Sequence, residues 1–308
     1  LLLVRGEHSL QITGILNGGL WLQNQGLHTV YSLVTSLMWA GTTLFAREYF
    51  AHEREGLNRY WFFVLVTLGA TQGVMLSSDL MTAFVFFEIV SFTSFTWVIH
   101  EETAEAIKAA YTYLFIAVIG GLVLFMGLAL LQHCLGTLDF EDLAAAAARA
   151  EDPVLVRTAG VCILFGFGAK AGMFPVHVWL PKAHPVAPSP GSALLSGVLT
   201  KVGVYGILMT SLQALAGDAM FGRIVLILGT ITMALGALMA LFSVNLKRTL
   251  ACSSMSQIGF ILVGIAMYVL LTAAGDAEGA GVAYSGTVLH MVNHSLIKLT
   301  LFMCAGEI

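Results

Sequence analysis

Charge is scarce in this chain: Lys and Arg number 14 and Asp and Glu 18 among 308 residues, 10% in all, where a soluble domain carries about 25%. Hydrophobic residues make up 58%. They come in runs long enough to cross a bilayer, which sets the fold class as all-α, a polytopic transmembrane helix bundle. There is no long basic patch and the net charge is only −4, so nucleic acid is excluded as a partner. The four cysteines, Cys134, Cys162, Cys252 and Cys304, lack any CxxC spacing. They read as small apolar residues, not as a disulfide framework or a metal site. No iron–sulfur, haem or nicotinamide motif occurs, so no cofactor is expected in this chain and any redox chemistry would belong to a partner. The start, Leu1-Leu2-Leu3-Val4-Arg5, has no Met and no signal-peptide layout. The end, Ala305-Gly306-Glu307-Ile308, follows directly on a hydrophobic run, and the chain is expected to be a piece of something longer.

Nine hydrophobic runs read as spans: 28–47, 60–78, 80–99, 109–132, 156–176, 192–214, 222–243, 251–271 and 282–304. Each is close to the ~20 residues that cross the hydrocarbon core as a helix. Residues 1–27 alternate loosely and suit an extended loop outside the bilayer or the end of a missing helix. The longest loop, 134–155, holds an alanine run from Ala144 with Glu141 and Asp142 before it, a pattern for a short surface helix. Basic loop residues divide into Arg47, Arg54, Arg59, Lys108, Lys182, Lys247 and Arg248 on one side and Arg5, Arg149, Arg157 and Arg223 on the other. The first set is expected in the cytoplasm. Proline is also scarce, yet five of the six prolines, Pro175, Pro181, Pro185, Pro188 and Pro190, fall within sixteen residues. Proline removes a backbone donor and clashes with the preceding turn, so a broken helix is expected there. Backbone unwound at membrane depth lies where protein or water satisfies it.

Against this apolar background stand Glu88, Lys170, Lys201 and Lys298, each inside a predicted span; half of the six lysines are thus in hydrocarbon-like surroundings. A charge at mid-bilayer costs about 2.5–3.5 kcal/mol on insertion scales, which points to a proton or ion pathway. Desolvation weakens a lysine's hold on its proton and a nearby carboxylate restores it, so a Glu–Lys pair of adjustable separation is a proton switch in principle. His290, His294 and Lys298 are spaced four apart and form one slanted row on a helix. The row suits a proton relay. It also suits structural polar packing or a metal pair, although Met291, Val292 and Asn293 lack the Glu of an HExxH motif. Singly, Lys201 could snorkel and Glu88 could be a neutral core residue. His177 reads as an anchor for the broken segment, and Asp79 as an interfacial cap.

The stretch from Lys170 to Lys201, KAGMFPVHVWLPKAHPVAPSPGSALLSGVLTK, resembles the signature of the antiporter-like membrane subunits shared by respiratory complex I, Mrp-type cation/proton antiporters and energy-converting [NiFe] hydrogenases. NLKRTLACSSMSQIG from Asn245, HMVNHSLIKLTLFMCAG from His290, and Phe87-Glu88 before Ser91 are similar to further segments of that family. The AHPVAPS wording resembles the hydrogenase-4 and formate hydrogenlyase branch most. The resemblance implies a fourteen-helix fold of two inverted five-helix repeats, with 28–59 a first span and cytoplasmic loop, 60–214 the first repeat and 215–308 a truncated part of the second. It implies that Glu88 pairs with Lys170 on a broken helix, that Lys201 is the central lysine, and that His290, His294 and Lys298 continue a hydrophilic axis. A second broken helix would lie beyond Ile308. The partners implied are other membrane-arm subunits and a peripheral redox arm with a NiFe centre and iron–sulfur clusters. The cargo implied is protons, or sodium as well. The expected place is a prokaryotic inner membrane. The function implied is proton translocation in a redox-driven complex. The alternatives are an Mrp-type sodium/proton antiporter subunit, a complex I membrane subunit, and a structural anchor.

Overall fold

A computed structural model describes residues 8–14, 18–51 and 55–307. The early residues form an antiparallel hairpin of β1 (His8–Ile12) and β2 (Leu20–Asn24), with His8 opposite Asn24 and Ile12 opposite Leu20. The hairpin is stitched to the helix ends beside it: Gln23 N donates to Leu76 O (2.7 Å) and Ser78 N to Trp21 O (3.0 Å).

Nine long helical segments coincide with the nine predicted runs. They are α1 (Gly26–Tyr49), α2 (Leu57–Met75), α3 (Leu80–Val98), α4 (Ala104–Leu135), α6 (Pro153–Ala171), the run Ser189–Gln213, α10 (Ala219–Leu241), α11 (Leu246–Ala273) and α12 (Ala277–Cys304). Among the described residues six are long and apolar enough to cross a membrane by length and composition, so a count of nine spans is not established. The three that fall short, α1, α2 and α12, carry polar side chains turned inward, such as Thr35, Thr42, Thr67, Thr71, Thr287 and Ser295, all buried. The hydroxyls of Thr42, Thr67, Thr71 and Thr287 bond back to their own helix, as Thr71 Oγ1 does to Thr67 O (2.7 Å). Leu37, Leu44, Phe62, Leu65, Phe115 and Leu122 are exposed instead, the inside-out arrangement that lipid permits. The alanine run forms a short helix, α5 (Phe140–Ala147), as expected, with Asp139 accepting from Glu141 N at its start.

The proline cluster breaks the bundle as predicted. Helix α6 ends at Gly172, whose φ of +81° takes the left-handed conformation that glycine adopts freely. After a single turn at His177–Trp179, α7 (Leu180–Val186) runs on, and α8 (Ser189–Leu194) begins with Pro190 in its first turn. A π turn, Leu195–Leu199, joins α8 to α9 (Thr200–Gln213). The freed backbone finds side-chain partners: Trp179 Nε1 donates to Ala169 O (2.7 Å), Phe174 N to Thr232 Oγ1 (3.0 Å) and Ser192 Oγ donates to His184 O (3.1 Å). Small residues let helices close on each other. A Cβ on Gly166 would lie 2.6 Å from Gly120 O, so α4 and α6 touch backbone to backbone.

Helix alternation puts Arg47, Arg59, Lys108, Lys182, Lys247 and Arg248 at one end, here called the basic face. The hairpin, α5, Arg149, Arg157 and Arg223 lie at the other, the hairpin face. Arg5 and Arg54, both used in the orientation reading, lie outside the described residues. Arg59 pairs with Glu102 at the basic face, and Arg157 pairs with Asp218 (2.7 Å) at the hairpin face.

Two outcomes test this packing. Gly166→Leu should drive side-chain atoms into the α4 backbone and lower unfolding stability in detergent by about 1–3 kcal/mol; an unchanged melting temperature would refute the close crossing. Asp79 caps α3 by accepting from Thr82 N (2.7 Å). Desolvation pushes its carboxyl above the ordinary value, against the pull of its Thr82 hydrogen bonds. A carboxyl raised on folding binds more protons in the folded state, so its effect is to weaken the fold as pH climbs from about 4 through the raised value. Asp79→Asn keeps a capping acceptor and should flatten that part of the melting profile; a profile identical to wild type would overturn the assignment.

Candidate functional site

Lys170 sits in the last turn of α6, where the break leaves room for a long side chain, and is 3% exposed. Its ammonium donates to Tyr113 Oη and to Ser94 Oγ (3.2 Å) and lies 5.0 Å from the centre of the Tyr113 ring. Tyr113 and Ser94 are themselves joined at 2.6 Å. Glu88 is on α3, below Ser91 and Ser94 on the same helix, and Gly121 makes space for it: a Cβ there would come within 2.9 Å of Oε2. Glu88 Oε1 and Ser91 Oγ are buried with no hydrogen-bond partner. Among the described residues Glu88 and Lys170 make no ion pair, although they lie within electrostatic range of each other. A cavity of about 10 Å³, lined by Ser91, Tyr113, Lys170 and Trp179 among others, lies beside the lysine. That is about the space of one water.

A second group forms around α9 and α12. Lys201 is 1% exposed and does not snorkel; its Nζ donates to Ser196 O (2.7 Å), a carbonyl in the π turn, with Thr200 Oγ1 at 3.4 Å. Such turns loosen the helical ladder at functional positions. On α12 the rings of His290 and His294 lie nearly parallel, 6.2 Å apart. His290 Nε2 is 2.9 Å from Gln257 Oε1, and Lys298 Nζ donates to Leu250 O (3.1 Å) and Ser253 Oγ (2.9 Å). Both ring nitrogens of His294 are buried without a partner. The predicted row of His290, His294 and Lys298 therefore shares one helix face, and Lys201 is within electrostatic range of all three. Among the described residues no three His, Cys, Asp or Glu side chains converge to hold a metal ion.

The two groups do not touch. No hydrogen bond joins them among the described residues, and α6 packs against α9 between them, with Phe167 and Ala171 closing on Gly203 and Gly206. His184 of α7 belongs to the second group: it is fully buried, lacks a partner at either ring nitrogen, stacks 4.5 Å from Phe302, and lies in electrostatic range of Lys201, Lys247 and Lys298. His177 stacks on Phe174 (5.9 Å) within the break. Ser91 and Ser94 have a readable signal, since they follow Glu88 at three-residue steps along one face. Tyr113 and His184 have none, because packing alone decides where they point.

A family model described as "NADH:quinone oxidoreductase/Mrp antiporter, TM" matches residues 77–308. The chain is 33% identical over 293 residues to hydrogenase-4 component B of Escherichia coli, covering 94% of this chain and 43% of that protein. It is 30% identical to a Na(+)/H(+) antiporter subunit of Alkalihalophilus pseudofirmus, covering 90% of this chain and 54% of the relative. The chain thus spans about half the length of these curated relatives. Among solved structures it matches a chain of the Mrp complex of Dietzia sp. DQ12-45-1b, with a TM-score of 0.83, 25% identity, 97% of this chain and 54% of that one. A chain of the archaeal membrane-bound sulfane sulfur reductase matches with a TM-score of 0.84, 27% identity, 96% of this chain and 59% of that one.

Hydrogen bonds to a charged group contribute about 1.5–3 kcal/mol. A double-mutant cycle of Tyr113→Phe and Lys170→Met, read by unfolding in detergent, should return a coupling energy in that range. A coupling near zero would mean that Tyr113 does not hold the lysine.

Proposed function

Since the chain belongs to the NADH:quinone oxidoreductase/Mrp antiporter transmembrane family, we propose that its buried ionisable groups carry protons within a membrane complex driven by redox chemistry. One observation carries this reading. Lys170, Lys201 and Lys298 are buried without a carboxylate partner, while the ion pairs among the described residues lie at the two faces, Arg59–Glu102 and Arg157–Asp218. A protein that needed only to anchor others would be as stable, or more so, with apolar residues in their place. The orphan atoms of Glu88, Ser91, His184 and His294 add support, because buried polar groups take partners and water is the partner that fits a conducting path.

In this reading Lys170 has two stations. On Tyr113 and Ser94 its charge is held by neutral hydroxyls; beside Glu88 it would meet a carboxylate. Electron transfer in partner subunits would alter the separation from Glu88. The link from Lys170 to Lys201 would run through the packing of α6 on α9 at Phe167, Ala171 and Gly203, which couples movement at the break to the second group. Lys201, His294, His290 and Lys298 continue the relay.

The finer assignment is to the group 4 NiFe hydrogenase or formate hydrogenlyase type, supported by the likeness to hydrogenase-4 component B and by the AHPVAPS wording. This chain would bind no cofactor; the NiFe centre and iron–sulfur clusters would sit in a peripheral arm, reached through other membrane subunits of a prokaryotic inner membrane. A second reading, a sodium/proton antiporter subunit, is favoured by the likeness to the Alkalihalophilus antiporter protein and to the Mrp complex. In sealed vesicles holding the full-length subunit within its complex, Lys170→Ala should abolish proton movement while electron flow persists. Proton uptake at the wild-type rate would refute the role. Sodium-dependent transport with no redox partner would select the second reading.

A further inference from the structure

Three buried titratable groups lie outside the row just described. Tyr205 is one helical turn past Lys201 on α9, on the side that leads to the hairpin face. His28 is in the first turn of α1 and Tyr31 one turn deeper. Their exposures are 2%, 5% and 2%. His28 Nδ1 lies 2.8 Å from Tyr205 Oη and 3.0 Å from Met75 O, and Tyr205 Oη lies 3.3 Å from the same carbonyl. One ring nitrogen therefore faces both a carbonyl, which only accepts, and a hydroxyl, which does either. The site has two hydrogen-bonding states of opposite direction. In one, Nδ1–H donates to Met75 O; in the other, Nδ1 is bare and accepts from Tyr205 O–H, with the ring proton on Nε2.

We propose that Tyr205 and His28, with Tyr31 beside them, form a proton branch that leaves the Lys201 row for the hairpin face. The proposal rests on the proton reading given above. Tyr205 Oη gives its proton to Nδ1 of the Nε2–H ring and recovers one from the row, which leaves an imidazolium; the ring turns about Cβ–Cγ, Nδ1 releases that proton toward the hairpin face, and the neutral ring turns back. One proton moves per cycle, Nε2 keeps its own, and each side chain ends as it began.

Position supports the direction. Met75 is the last residue of α2, α1 follows directly on β2, and the His28 ring lies 6.0 Å from Phe140 at the start of α5, all elements of the hairpin face. The inner end has its own groups. The Tyr31 ring lies 5.7 Å from that of Tyr205, and its hydroxyl is buried without a partner. Tyr284, in electrostatic range of both, stands on α12 ahead of His290 and His294. Hydroxyls thus line the interval between the histidine row and His28.

The alternative is that the pair only fastens α1 to α2 and α9. His28→Gln separates the two, since an amide can donate to Met75 O and accept from Tyr205 but does not pass a proton on. Tyr205→Phe removes a single hydroxyl. In sealed vesicles bearing the full complex, both variants should assemble to wild-type amounts and translocate protons roughly 10²-fold more slowly, the lower end of what a positioned acid–base group contributes. Added imidazole should restore part of the rate in His28→Ala. A wild-type rate in His28→Gln would overturn the branch. Lys201→Ala, measured alongside, tells the two readings apart: transport lost there but normal in His28→Gln sinks the branch alone, and transport normal in Lys201→Ala sinks the row and the branch together.

Discussion

Three ammonium groups buried without a countercharge set the terms for the rest of this molecule. Removing an ion from water costs several kcal/mol even after relaxation, and no carboxylate in contact offsets it here. Each lysine is met by neutral dipoles instead: Tyr113 and Ser94 for Lys170, the Ser196 carbonyl for Lys201, Leu250 O and Ser253 for Lys298. The fold has to produce such dipoles at membrane depth, where a regular helix uses up its own carbonyls.

It does so through defects. The π turn before Lys201 sits where a straight helix would have closed its ladder, and the break after Lys170 opens a space that Tyr113, Trp179 and Ser94 fill. A cluster of prolines accounts for the break; the close α4–α6 and α6–α9 crossings at Gly120, Gly166 and Gly203 hold its two halves against the bundle. Packing therefore acts on electrostatics, because a bundle that crossed less closely would let lipid or bulk water reach the lysines and remove the reason for the dipoles.

Much of this was legible from residue pattern. Long apolar runs locate the helices, the five prolines locate the break, and charges inside apolar runs point to Glu88, Lys170, Lys201, His290, His294 and Lys298. The partners of those residues were not legible. Tyr113 is one of two tyrosines in a single run of α4, and only its facing toward α3 and α6 selects it over the exposed Tyr111. His184 lies in the proline-rich break, which pattern locates without showing where its side chains point, and the pairing of His28 with Tyr205 spans 177 residues. The hydropathy of α1, α2 and α12 is lower for a related cause: polar side chains turned inward, such as Thr35, Thr71 and Thr287, reduce the average along each helix.

The choice of neutral partners has a consequence for how Glu88 can act. Had each lysine been locked in a salt bridge, its proton would be held through any small movement of the chain. Hydroxyls and carbonyls offset only part of the desolvation cost, about 1.5–3 kcal/mol for each hydrogen bond to a charge, which leaves the charged and neutral forms closer in free energy. In the proposed reading, a carboxylate that is near but not in contact, as Glu88 is to Lys170, would decide between them with a small displacement, since its attraction rises steeply as water is excluded and the separation falls. The open pair is then the sensitive arrangement, and Gly121 belongs to it because a Cβ there would collide with the Glu88 carboxylate, which fills that place against α4.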